Sequence, residues 1–252
     1  MPRQAREKSS SGIYHIMIRG INRQNLFEEN ADRRRFIEIL HHYKTISKYM
    51  IYGYCLMDNH VHLLIQEMEE PISNAIKRIS SSYVYWFNKK YQRLGHLFQE
   101  RFKSEAVETD EYFLTVLRYI HQNPIKAAIV KNIGKYEWSS YREYMGTPVI
   151  TDIEYALDLY ATDRVKALEI FKKYSNEQNT DQCLEYHEKT SVTDQELLEH
   201  LKRYGIVSIS EIQKLEKAKR DDIIKKMKRI EGVTIRQLSR ITGISKSVID
   251  RI

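Results

Sequence analysis

The chain has 252 residues, 42% hydrophobic and 30% charged, enough for a substantial core under a well-solvated surface. No apolar run approaches the roughly 20 residues that a membrane helix needs, and the basic start lacks the apolar middle of an export signal, so a cytosolic protein is expected. The net charge of +7 is unevenly spread, at +6 for residues 1–150, −7 for 151–200 and +8 for 201–252. Two basic ends joined by an acidic middle suit either two nucleic-acid-facing modules with a spacer or simply an acidic solvated helix pair.

In chain order, residues 13–20 (Ile-Tyr-His-Ile-Met-Ile-Arg-Gly) are predicted as a strand flanked by glycines, followed by a polar loop. Asp32 is the expected N-cap of a helix to about Lys48, with Phe36, Ile39, Leu40 and Tyr43 at 3–4 spacing. Strands at about 50–57 and 60–66, joined by Asp58-Asn59, predict a hairpin. Pro71 and Ser73 open a helix carrying Ile72, Ile76, Ile79 and Tyr83, and a strand is expected at about 97–107. Thr109 or Asp110 caps the next helix, which should end near Asn123-Pro124 because proline disfavours helix before it. The order β-α-β-β-α-β-α predicts an α+β fold, a ferredoxin-like antiparallel sheet with helices packed on it. Past Gly146-Thr-Pro148 strand signals fade. The expected division is a nuclease-sized domain over 1–146, a helical linker over 147–193 and an all-α module over 194–252.

The densest chemistry lies in Asp58-Asn-His-Val-His-Leu-Leu-Ile65. On a strand, His60 and His62 point to one face, about 7 Å apart. They can converge on a divalent ion, or they are inert histidines at a sheet edge. In Leu117-Arg-Tyr-Ile-His-Gln-Asn-Pro124, Tyr119 and Asn123 stand at i and i+4, so a phenol and an amide share one helix face. The phenol can attack phosphorus and the amide oxygen can complete a metal site; the bland alternative is a core aromatic and a helix-ending residue. His121 should point away from Tyr119. Cys55 and Cys183 lack metal-type spacing and read as reduced thiols. In residues 232–252, Thr234 caps one helix, Gly243 makes a turn and Ser245 opens a second helix, either a helix-turn-helix or an ordinary helical hairpin.

The motifs Tyr14-His-Ile-Met-Ile-Arg-Gly-Ile-Asn-Arg-Gln24, Leu56-Met-Asp-Asn-His-Val-His-Leu-Leu64, Phe98-Gln-Glu-Arg-Phe-Lys103, Leu117 to Ala127 and Trp138-Ser-Ser-Tyr141 occur in order. Together they resemble the REP-associated tyrosine transposases, a branch of the HUH nucleases (His, bulky apolar residue, His). The C-terminal segment resembles the terminal helix-turn-helix of bacterial replication initiators, with a last helix only eight residues long. The resemblance implies that His60 and His62 bind Mg²⁺ or Mn²⁺, that Asn123 is the third ligand and that Tyr119 is the nucleophile. Some relatives in the wider superfamily carry glutamine at the third position. It also implies a single-stranded or hairpin DNA substrate, cut and rejoined through a covalent 5′-phosphotyrosine in a nucleoid-associated protein. Contacts are expected from Arg19, Asn22, Arg23, Arg101 and Lys103, and from Lys246, Ser247 and Arg251 in the last helix. Relatives exist as monomers and dimers, so a homodimer stays open. The rival reading is a domesticated DNA-binding regulator that no longer cuts.

Overall fold

The structure is a computed structural model that describes residues 6–185, 192–206, 209–230 and 232–252. It divides into two compact units, Met1–Glu185 and Tyr186–Ile252. In the first unit the strands are β1 (Ile13–Arg19), β2 (Met50–Met57), β3 (His60–Gln66) and β4 (Lys103–Ala106). They form one antiparallel sheet in the order β2-β3-β1-β4. The expected α+β architecture is present. Strand alternation divides the sheet into two faces. Ile16, Ile18, Val61, Leu63 and Ile65 meet helices α1 (Asn30–Ser47) and α2 (Ile72–Lys90) in one core.

Ile13, Cys55, Met57 and Leu64 meet helix α3 (Asp110–Lys126) in the second core. Short α4 (Tyr141–Tyr144), α5 (Ile153–Asp158) and α6 (Arg164–Asn176) follow; Tyr144, Leu157 and Phe171 enter this same core. Residues 147–185, expected as linker, are therefore part of the first unit, and 186–191 of that span lie outside the described residues. Phe171 stacks on Tyr144 with centroids 4.6 Å apart, aromatic packing that short helical periodicity did not reveal.

Local signals were displaced by a few residues. The cap of α1 is Glu29, and Asp32 sits at the third helical position, completing a reciprocal capping box. The fourth strand is shorter than 97–107, although Phe98 bridges to Gly20. Helix α3 runs through Pro124 to Lys126, because the turn around the proline is buried and the Ala127 N–H still reaches the Asn123 carbonyl at 2.9 Å. Trp138-Ser-Ser-Tyr141 fastens α3 to the sheet. Ser140 Oγ accepts the Tyr54 N–H at 2.9 Å and lies 2.8 Å from His121 Nε2, while the Leu56 N–H donates to the Trp138 carbonyl.

The second unit contains α7 (Asp194–Lys202), α8 (Ile209–Lys214), α9 (Lys217–Lys228), α10 (Ile235–Thr242) and α11 (Lys246–Arg251). Leu197, Leu201, Ile224, Leu238 and Ile249 are among the residues of its own core. Thr234 caps α10 through the Gln237 N–H, and Gly243 closes it at φ +69°, a left-handed value that favours glycine. Among the described residues, no helix is long and apolar enough to cross a membrane.

Candidate active site

The site lies on the α3 face of the sheet. β3 places His60 and His62 on that face because they alternate with Val61 and Leu63, which fill the opposite core. The two imidazole centroids are 5.0 Å apart. Helix α3 lies across this face and brings the Tyr119 ring to 5.8 Å from His62. The two histidines and the tyrosine thus meet. Asn123 is on the same turn of α3, but its amide Nδ2 donates to the Tyr119 carbonyl oxygen at 2.9 Å rather than to either histidine.

Burial and neighbours set the protonation states. Burial and, to a lesser extent, nearby Arg19 depress His60 to about 4 against the opposing pull of Glu185 and Asp58. His62 is fully buried and lies well below the ordinary histidine value for the same reason, with His60 and His15 adding repulsion. Both rings are therefore neutral at physiological pH, the form in which imidazole binds a metal. The Tyr119 phenol is pushed up by burial and by the carboxylate of Glu185, whose Oε1 accepts its hydroxyl at 2.5 Å. Lys126 lies 4.3 Å from the Tyr119 ring centroid.

Three further residues join the site without having been singled out in the sequence. His15 on β1 is fully buried, and its Nε2 is 2.9 Å from His62 Nδ1. Glu105, opposite it on β4, has Oε2 3.7 Å from His15 Nδ1. Glu185 comes from a segment held onto α3 by Arg118–Asp181 and Asn179–Gln122 bonds. Strand parity with Met17 and Arg19 could have put His15 on the α3 face once β1 was paired with β3. No sequence signal marks Glu185.

The residues present fit a divalent ion. The second nitrogen of His62, Nε2, is buried without a hydrogen-bond partner, and His60 keeps Nε2 available because its Nδ1 faces Asn59 Oδ1 at 2.6 Å. Among the described residues no three His, Cys, Asp or Glu side chains form a metal cluster, and two histidines with an amide are not such a set.

The expected DNA contacts fall in two places. Asn22 and Arg23 are exposed in the turn after β1, both at positive φ, and Arg19 pairs with His60 across β1 and β3. Arg101 is exposed and Lys103 half-buried on the run into β4. In the second unit Lys246, Ser247 and Arg251 are exposed on α11, around the buried Ile249.

A REP-associated tyrosine transposase bound to a REP hairpin shares the fold, with a TM-score of 0.51, 17% identity, and coverage of 65% of this chain and 93% of that one. A transposase candidate from Deinococcus radiodurans R1 is more distant, at TM-score 0.33 and 18% identity over 51% of this chain and 92% of that one. No curated protein matches. The family model described as "Transposase IS200 like" matches residues 8–123, a span that takes in β1 to β4 and ends at Asn123 in α3. Residues 8–123, with the histidine pair and the α3 tyrosine among them, match the IS200-like transposase family.

Proposed function

We propose that the protein cleaves and rejoins single-stranded DNA at hairpin-forming sites, with Tyr119 as nucleophile. The observation that carries this reading is the meeting of His60, His62 and Tyr119 on one sheet face, inside the transposase-family span. The solved structure with the same fold is that of a transposase bound to a DNA hairpin, which supports a hairpin ligand here.

His60 and His62 would hold a divalent ion, Mg²⁺ or Mn²⁺, and Asn123 would supply the third ligand through its amide oxygen. When bound, the ion polarises the scissile phosphate and stabilises the departing oxygen. Tyr119 is neutral at physiological pH, so its proton leaves as the phenol oxygen attacks phosphorus. The hydroxyl is already hydrogen-bonded to the Glu185 carboxylate, which accepts that proton. The new bond is phosphorus to Tyr119 Oη; the bond to the DNA 3′ oxygen breaks, and that oxygen takes a proton from solvent water to become a 3′-OH. Reversal by another 3′-OH is strand transfer. Arg19, Asn22, Arg23, Arg101 and Lys103 hold the strand near the site, and α11 of the second unit contributes Lys246, Ser247 and Arg251 to a separate DNA contact. The domain roles follow: nuclease in the first unit, DNA-binding module in the second.

The test is a hairpin oligonucleotide incubated with the protein and Mn²⁺, then run on a denaturing gel. The wild type gives a protein–DNA adduct and both Tyr119→Phe and the His60→Ala/His62→Ala pair give none. An undiminished adduct from Tyr119→Phe removes the nucleophile assignment.

A further inference from the structure

We infer that His15, backed by Glu105, is a positioning residue that fixes the tautomer and orientation of His62. The inference rests on the proposed role of His62 as a metal ligand. It begins with a polar chain buried between β3, β1 and β4. His62 and His15 are each fully buried, their rings stack with centroids 5.1 Å apart, and His62 Nδ1 is 2.9 Å from His15 Nε2. Two unprotonated nitrogens would repel at that distance, so with both rings neutral one of them carries the hydrogen.

Two arrangements are available, and Glu105 chooses between them. In the first, His62 Nδ1–H donates to His15 Nε2, and His15 carries its own hydrogen on Nδ1. His15 Nδ1 lies 3.7 Å from Glu105 Oε2, beyond hydrogen-bond distance, so Nδ1–H has no hydrogen-bond partner there and the carboxylate favours it only by charge. The lone pair of His62 is then on Nε2, the buried nitrogen without a hydrogen-bond partner. In the second arrangement, His15 Nε2–H donates to His62 Nδ1. The His15 Nδ1 lone pair then faces the carboxylate, and His62 keeps an unsatisfied buried N–H at the position a ligand atom should occupy. The first is favoured at both ends. Glu105 is itself held in place, accepting the Leu184 N–H at 3.1 Å. A metal-ligating histidine needs its second nitrogen committed in this way to stay neutral at the ligating atom and fixed in direction.

The strand register makes the chain possible. His15 pairs directly with Glu105 across β1 and β4, and with Leu64, the residue two beyond His62, across β1 and β3. Moving β1 by one residue would turn His15 into the opposite core.

Three variants and two measurements test this. Leucine in His15→Leu retains bulk but offers no acceptor; the amide oxygen of glutamine in His15→Gln can stand where Nε2 stood; Glu105→Gln removes the charge from a half-exposed side chain. The first measurement is made without metal. Long-range ¹H–¹⁵N spectra of the full chain should find His62 protonated on Nδ1 in the wild type and His15→Gln, and a mixture of tautomers in His15→Leu and Glu105→Gln. A wild-type His62 protonated on Nε2 overturns the proposal whatever the metal does. The second is Mn²⁺ binding, read by electron paramagnetic resonance with circular dichroism to confirm folding. His15→Leu should weaken binding by about 10- to 100-fold, with most of the loss recovered in His15→Gln. Should His15→Leu not fold, a weakened Glu105→Gln carries the test. If His62→Ala loses Mn²⁺ while folded His15→Leu and Glu105→Gln bind as the wild type does, the positioning role is wrong and the metal site stands. If wild-type protein binds no Mn²⁺, both readings fall.

Discussion

Tyr119 keeps its proton because the pocket is buried and a carboxylate stands against the hydroxyl, yet the same carboxylate gives the proton somewhere to go. Glu185→Gln preserves a hydrogen-bonding partner and removes the base. Single-turnover adduct formation should slow by roughly 10²-fold at neutral pH, with oligonucleotide affinity unchanged; an unaltered rate would assign the proton to another acceptor. His121 presents a different case on the same helix. It points away from Tyr119, to Ser140 and a cage of Tyr141, Tyr144 and Phe171, and burial depresses it to about 3. Unfolding returns it to about 6.5. Between those values the unfolded chain binds the extra proton, so stability is complete above about pH 6.5 and falls with pH toward 3, by about 1.4 kcal/mol per pH unit. Between pH 6.5 and 5 the wild type should lose about 2 kcal/mol more than His121→Gln in urea unfolding, at the same unit slope; parallel losses would show that His121 already charges in the fold.

At the scale of the elements, the turn after β1 decides where the exposed Asn22 and Arg23 stand. It is fixed by backbone bonds from Gly20 N–H to the Asn59 carbonyl and Ile21 N–H to the Leu97 carbonyl, both 2.9 Å. A Cβ on Gly20 would come within 2.2 Å of the Gln24 carbonyl oxygen, a contact no side-chain rotation relieves. Gly20→Ala should therefore cost about 1–3 kcal/mol in urea unfolding and weaken hairpin binding, because the turn must open; unchanged stability would show that the turn has slack. The flanking glycines had suggested where the strand ended, but not this close approach. The same distinction runs through the fold. Alternation in His60-Val-His-Leu made the β3 face legible, and i,i+4 spacing placed Tyr119 beside Asn123, since both are local periodicities. The helix start was legible, but the cap expected at Asp32 is Glu29, three residues earlier, and the capping box between the two was not foreseen. What remained hidden depends on contacts distant in sequence: His15 on His62 is a 47-residue separation, and Glu185 on Tyr119 a 66-residue one.

For the molecule as a whole, each of the two units has its own core behind one of the two proposed DNA contacts, and this makes the second proposal testable by itself. Leu238 and Ile249 anchor α10 and α11 within the second unit, and Ile249 turns Lys246, Ser247 and Arg251 outward. Lys228 adds a bond from α9 to the Ile249 carbonyl at 3.0 Å, so the presentation of α11 is braced from below. Lysine and arginine at exposed positions bind phosphate chiefly by releasing counterions, which gives a logarithmic salt dependence with slope near −0.9 for each phosphate neutralised on duplex DNA. Lys246→Ala/Arg251→Ala should reduce the steepness of that plot by about 2 if each side chain neutralises one phosphate. Adduct formation on a short unpaired oligonucleotide, which offers no duplex to α11, should stay at the wild-type rate. The residue-scale variants should reverse this pattern, Tyr119→Phe losing the adduct while keeping the salt slope. A double variant with an unchanged slope would mean that α11 meets no phosphate. The helical module would then need another ligand, although the chemistry assigned to the first unit would be untouched.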